Sequence, residues 1–282
     1  MKVQVEKNVS EILVEHGVKL SSVQDIIWSH RHFDHQGDPS TFPPSTRLTV
    51  GPGFRKVVGD GYPGKKDSTA NSSAWKGRDL IELDFETDSR RTTVGKYRAI
   101  DYFGDGSFYL LQTPGHTADH MCGFARTKLG GEQGEDEFIL MGGDIAHHGG
   151  EFKPTKYQPI PERVEPDPRR KPWAGGFCPG ELFARTNIAN TGDDKWAKHF
   201  LSPHPNFPDD LRQAQWSLDG LEQFDALENV LSICAHDGSF LGVVDVFPEE
   251  ANAWREKGWK KEGKWRFLKD VNAEGRDLAE CE

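Results

Sequence analysis

The 282-residue chain contains no apolar run of membrane-spanning length. Its first residues, MKVQVEKNVSEILVEHG, lack the apolar centre of a secretory signal. A cytoplasmic protein without a membrane partner is therefore expected. Cysteine is scarce: Cys122, Cys178, Cys234 and Cys281 form no tight pair, which predicts neither a disulfide framework nor zinc-finger spacing. Cys122 and Cys234 lie in apolar runs and read as core. Basic charge is also short. Lys and Arg total 35 against 45 Asp and Glu, the formal net charge is −10, and no basic stripe interrupts the acidic surface. Nucleic acid is thus not an expected partner. No Walker or dinucleotide-binding pattern supports a nucleotide cofactor. Aromatic residues, by contrast, are plentiful, with eight Trp and 17 Phe, which argues against disorder. Thirty Gly and 17 Pro call for many turns. The length suits one large domain, or two small ones, with a sizeable core.

The hydrophobic pattern predicts a short helix over 9–17, with Ile12, Leu13 and His16 near one face and Gly17 at its end. Ile26, Ile27 and Trp28 read as a buried strand, and 47–50 as a second, closed by Gly51-Pro52-Gly53. Residues 59–79 read as loop. Strands are expected over 80–85, 97–102, 107–111, 121–126 and 137–141, with Asp105-Gly106 as a hairpin turn. The proline- and glycine-rich stretch 149–180 reads as a surface excursion. A helix over 210–227, a strand over 229–234 and a final amphipathic helix over 248–263 complete the order. No internal repeat or interdomain linker is visible.

Four polar stations each follow an apolar segment. They are His30-Arg31-His32-Phe33-Asp34-His35 after IIW, His116 after FYLLQ, Asp144 after FILMG, and His236 after LSIC. Ligands gather at the carboxyl ends of strands in α/β folds, because a buried strand delivers its last residue rigidly to a rim. A lone histidine at a strand end is usually a satisfied polar residue. Three histidines and an aspartate in six residues, joined by matching residues at three other strand ends, point instead to a metal site. Imidazole nitrogen and carboxylate oxygen suit Zn(II), Fe(II), Mn(II) or Co(II).

At these residues the chain resembles the metallo-β-lactamase superfamily, from IIWSH to His236 and beyond. The resemblance implies an α+β fold, the αβ/βα four-layer sandwich of two mixed sheets with helices outside. It implies His30, His32 and His116 as ligands of one metal, Asp34, His35 and His236 as ligands of a second, and Asp144 as a bridge. The cofactors implied are two divalent transition-metal ions, Zn(2+) first among them. SHRHFDHQGD, TPGHT and the Ala-His-Asp ending resemble the acyl-homoserine lactone lactonase branch. FPPSTRLTVGPGF and WKGRDLIELDF resemble fungal lactamase-like hydrolases. The resemblance implies a hydrolase that opens a cyclic ester or cyclic amide by attack of a metal-bridging hydroxide on the ring carbonyl.

Within that reading Asp34 or Asp144 passes a proton to the leaving atom. His147 stands where the lactonase branch has a tyrosine, and either it or His148 can donate to a substrate oxygen. Asp237 either orients a ligand or caps a turn. The substrate is a small molecule, approached by a rim drawn from 37–44, 52–78, 147–180 and 237–242, with Trp75, Phe152, Trp173, Phe177 and Phe240 as candidate wall residues. A homodimer is the expected association, if any. The alternatives are a glyoxalase II-type thioesterase, for which Lys257, Lys260, Lys261 and Lys264 are candidate anion contacts, and a catalytically weakened metal-binding member. Superfamily members place a β-hairpin before the first helix, so residues 1–282 read as a single domain with a short N-terminal end that lacks this hairpin.

Overall fold

The computed structural model describes residues 4–132, 134–187 and 190–271; Cys281 lies outside them. In chain order the helices are α1 (Val9–Glu15), α2 (Phe54–Val58), α3 (Gly180–Ala184), α4 (Asp194–Ala197), α5 (Leu211–Ala226) and α6 (Trp259–Gly263). The strands are β1 (Asp25–Ile27), β2 (Arg47–Val50), β3 (Leu80–Glu82), β4 (Arg91–Val94), β5 (Tyr97–Asp101), β6 (Phe108–Gln112), β7 (Met121–Lys128), β8 (Glu137–Met141), the two-residue β9 (Arg163–Val164) and β10 (Cys178–Pro179), and β11 (Val230–Ile233).

Strands β1, β2 and β3 form a parallel three-stranded sheet. A second sheet runs β11-β8-β7-β6-β5-β4, parallel only between β11 and β8. The period-2 alternation of β5, β6 and β7 divides their side chains between two cores. Ile100, Leu110 and Met121 face Ile27, Leu83 and Phe85 between the sheets. Ala99, Leu111, Cys122 and Phe124 face Leu218, Leu221 and Phe224 of α5. On the outer side of the smaller sheet, Trp28, Leu48 and Val50 pack on Phe54 and Val58 of α2. The result is the expected four-layer α+β sandwich.

Because β7 runs antiparallel to both β6 and β8, strands β6, β8 and β11 all point their carboxyl ends to one edge. The Met121 N–H donates to Ser29 O at 2.8 Å, which brings the end of β1 to that same edge. Helix α5 is docked there too. Asp210 caps it by accepting from Gln213 N–H at 3.0 Å, and Asp210 N–H donates to Gly115 O at 3.1 Å. Gly115 (φ +132°) sits so close to α5 that a Cβ would collide with the backbone of Ala214.

Several expectations are corrected. β4 escaped the sequence reading because Arg91-Thr92-Thr93-Val94 is a polar edge strand. The stretch 149–180 is not a surface excursion throughout: Ile160, Val164 and Cys178 are buried against Phe183, Trp265, Phe267 and Leu268. The helix expected over 248–263 survives only as α6. Gly258 is left-handed (φ +73°) and interrupts it, while Trp254 and Trp259 both turn into the core beside Ile139, Leu231 and Phe240. Lys260 is buried rather than solvated, and its Nζ donates to Asp225, Leu227 and Val230 carbonyls at the end of α5. Cys122 and Cys234 are buried free thiols in the core, as expected.

Glu222 on α5 is mostly buried, and its Oε1 lies 3.7 Å from His199 Nδ1. Burial first, and Asp219 second, push its carboxyl from 4.5 up to about 7. Between those values the folded chain holds a proton that the unfolded chain has released, so this group lowers stability as pH rises through the window. Glu222→Gln should leave Tm unchanged near pH 4 and raise it at pH 8. Equal Tm values at pH 8 would contradict this.

Candidate metal centre

The four stations converge at the shared strand edge. One nitrogen or oxygen from each of His30, His32, His116 and Asp144 lies within 4.8 Å of the others, and Asp34, His35 and His236 form a second such group. Asp144 stands between them. Its Oδ2 is 3.3 Å from His116 Nε2, 3.4 Å from His236 Nε2 and 3.7 Å from His30 Nε2, while Oδ1 is 3.1 Å from His35 Nε2. Asp34 Oδ2 reaches His35 and His236 at 3.6 and 3.5 Å. All seven residues expected to carry the centre are therefore brought together.

Local backbone explains the convergence. After β8 the chain turns through Gly142 and Gly143, and Gly143 is left-handed (φ +53°). A Cβ on Gly143 would lie 2.9 Å from His120 Nε2 and 3.1 Å from Ser29 Cβ, so the turn needs glycine. His120 was missed by the sequence reading, although TPGHTADH contains it. It is fully buried and joins two strand ends. Its Nε2 accepts from Asp144 N–H at 3.0 Å, and Nδ1 donates to Thr113 O at 3.0 Å. The Asp144 hydrogen bond settles the tautomer: Nε2 must carry a lone pair.

Burial disfavours charge on the imidazoles. It lowers His30 far below the usual histidine range, helped by His120 and His116. It lowers His116 to about 2 and His120 to about 4. His32 is lowered by burial and then by Arg31. His35 is the exception: burial opposes its charge, but the hydrogen bond and charge of Asp144, with Asp34, raise it. Burial likewise works against the Asp144 carboxylate, yet His147 and His35 on its oxygens hold it ionised well below the usual range. The centre thus presents neutral ring nitrogens of His30, His32 and His116 beside the Asp144 carboxylate. Buried polar atoms are seldom left without a partner. His30 Nε2 is buried and makes no hydrogen bond. Lone-pair donors in this state fit divalent cations.

His147 lies inside the site, its Nε2 3.4 Å from Asp144 Oδ2 and its ring stacked 5.4 Å from His236. His148 does not. Its Nδ1 accepts from Gly150 N–H, and Nε2 faces Asp270. Asp237 caps a turn by accepting from Ser239 N–H at 3.0 Å.

A cavity of about 280 Å³ opens beside His116, Asp144 and His147, walled by Ile145, Pro203, Phe207, Pro208 and Ala214, with Glu151 and His204 as polar members. The expected aromatic wall is not there. Phe152 and Phe240 are buried in cores, Trp75 packs on Phe54, Phe177 lies under Arg163, and Trp173 lines a separate depression. The lysines proposed for an anionic thioester do not form a basic pocket either. Lys257 pairs with Asp245, Lys264 faces Glu228, and Lys260 is enclosed.

Outer partners that orient ligating groups typically matter 10–100-fold for metal affinity, so His120→Ala should weaken metal retention by roughly that factor without removing a donor. Competition against a chromogenic chelator measures it. Unchanged affinity would show that Asp144 needs no such support.

No family model matches the chain. Among curated relatives it is 44% identical over 270 residues to the gamma-lactamase FDB1 of Fusarium pseudograminearum, covering 95% of this chain and 63% of that protein. The chain therefore spans less than two thirds of that relative. It is 42% identical over 230 residues to the gamma-lactamase MBL2 of Gibberella moniliformis, covering 82% of this chain and 89% of that one. A solved quorum-quenching N-acyl homoserine lactone lactonase shares its fold, with a TM-score of 0.50 at 18% identity over 88% of this chain and 72% of that one. The sandwich, the donors at its strand ends and the extent of these likenesses agree: the chain belongs to the metallo-β-lactamase superfamily.

Proposed function

We infer that this chain is a metal-dependent hydrolase that opens a cyclic ester or cyclic amide. The observation that carries the reading is the grouping of seven donor residues, Asp144 central among them, beside a largely apolar cavity. The two gamma-lactamase relatives favour the amide. His30, His32 and His116 would hold one divalent ion, Asp34, His35 and His236 a second, and Asp144 both, with zinc the first choice for this nitrogen and oxygen set. When bound, such a pair supplies Lewis acidity toward a ring carbonyl and lowers the pKa of water toward neutrality.

The chain's own residues supply the rest. Ile145, Pro203, Phe207, Pro208 and Ala214 exclude water from one side of the centre and offer an apolar seat to a ring. His147 is the group best placed to hydrogen-bond a substrate oxygen, since its Nε2 lines the cavity side of Asp144 and makes no other hydrogen bond. Asp34, with a 39% exposed side chain, is the carboxylate with solvent access and so the better route for a proton to the leaving atom. Asp144, almost fully buried and held by His120, serves as a fixed charge.

Metal analysis should find close to two divalent transition-metal ions per chain. Chelation should abolish opening across a panel of γ-butyrolactone, an N-acyl homoserine lactone and 2-pyrrolidinone, and an S-acyl thioester should be turned over less well. His116→Ala should lose metal and activity together. A single iron with oxygen consumption, or a His116→Ala protein with full metal and activity, would overturn the assignment.

A further inference from the structure

The cavity's outer wall has no secondary structure of its own. Residues 201–209 carry neither helix nor strand, and Phe207 is 58% exposed. Such a segment buries too little to fix its own course, so its position depends on its ends. At one end Leu201 N–H donates to Gly150 O at 2.9 Å. At the other end Asp209 is held in four ways. Its carboxylate accepts from Arg31 Nη2 at 2.7 and 2.9 Å and from Ala118 N–H at 3.1 Å, and its own N–H donates to His116 O at 3.1 Å. Between these anchors, Pro203, His204, Phe207 and Pro208 line the cavity, and the Phe207 ring meets His147 edge-on at 5.0 Å.

Arg31 is the residue between His30 and His32, and its side chain is only 8% exposed. Its second arm donates to Asp119 at 2.7 Å, next to His120. A guanidinium paired with two carboxylates in this way has a fixed orientation that a lysine cannot reproduce. The arginine thus ties the strap that walls the cavity to the same turn that carries two candidate ligands.

We propose that Arg31 and Asp209 are positioning residues that set the width of the substrate cavity by anchoring the 201–209 strap, and that they act on the substrate through Phe207. The pair selects for compact rings seated in the cavity that Phe207 and His147 line side by side, rather than for metal. This rests on the hydrolase reading above.

The test uses the zinc-loaded protein, with 2-pyrrolidinone and N-hexanoyl homoserine lactone as probes. Asp209→Asn removes the charge and keeps an acceptor. Loss of a charged hydrogen bond of this kind corresponds to about a tenfold rise in KM for the ring substrate. Metal stoichiometry and kcat should hold, and amide exchange should accelerate over 203–208. Phe207→Ala should also raise KM, and the double variant should be no worse than either single one, since both act through one contact. Arg31→Met should reproduce the effect and Arg31→Lys should not restore it; if Arg31→Met fails to fold, the Asp209→Asn and Phe207→Ala cycle decides alone. Strictly additive KM effects, metal loss in Asp209→Asn, a fall in kcat at constant KM, or unchanged exchange over 203–208 would each overturn the proposal. If no probe is turned over by the parent protein, the hydrolase reading fails, while the exchange measurement still decides whether Asp209 anchors the strap.

Discussion

The structure depends on one buried anion. Asp144 places a carboxylate, almost wholly removed from solvent, within 3.7 Å of nitrogens from His30, His35, His116, His147 and His236. A lone buried charge there would be costly, and the histidine nitrogens around it offset that cost. The burial that disfavours charge on His30 and His116 leaves their nitrogens as lone-pair donors, while the histidines on the Asp144 oxygens keep it ionised. The fold exists around this point because β6, β8 and β11 end at one edge, and because the turn after β8 is glycine at Gly142 and Gly143.

The centre and the cavity have different origins. The donors come from the ends of paired strands and are rigid because the sheet is. The cavity wall comes from a strap without regular structure, held by Arg31 and Asp209 at one end and by Gly150 at the other. This division suits an enzyme fold in which chemistry is constant and substrate choice varies. The donor-bearing edge is specified by strand register, whereas the wall can change with a few residues between Leu201 and Asp209.

What was legible in the sequence follows the same division. Short apolar runs ending in histidine or aspartate located every candidate ligand, because each run is a buried strand and each polar station its rigid end. The hairpin at Asp105-Gly106 was legible for the same local reason: Gly106 adopts φ +73° between β5 and β6. His120 was not, since its role depends on a contact across two strands with Asp144 that no local period marks. Phe207, Pro203 and Pro208 were hidden in a proline-rich stretch with no periodicity, and the aromatics that looked available were taken by the cores. The final helix was overread because left-handed Gly258 interrupts the run and lets Trp254 and Trp259 reach the same core.

The most direct test of this account is a crystal structure of the zinc-loaded protein with anomalous data at the zinc edge. The account predicts two peaks on either side of Asp144, one touching His30, His32 and His116 and the other Asp34, His35 and His236, with the cavity before Phe207 open to both. A single peak, or two peaks that leave Asp144 uncoordinated, would contradict it.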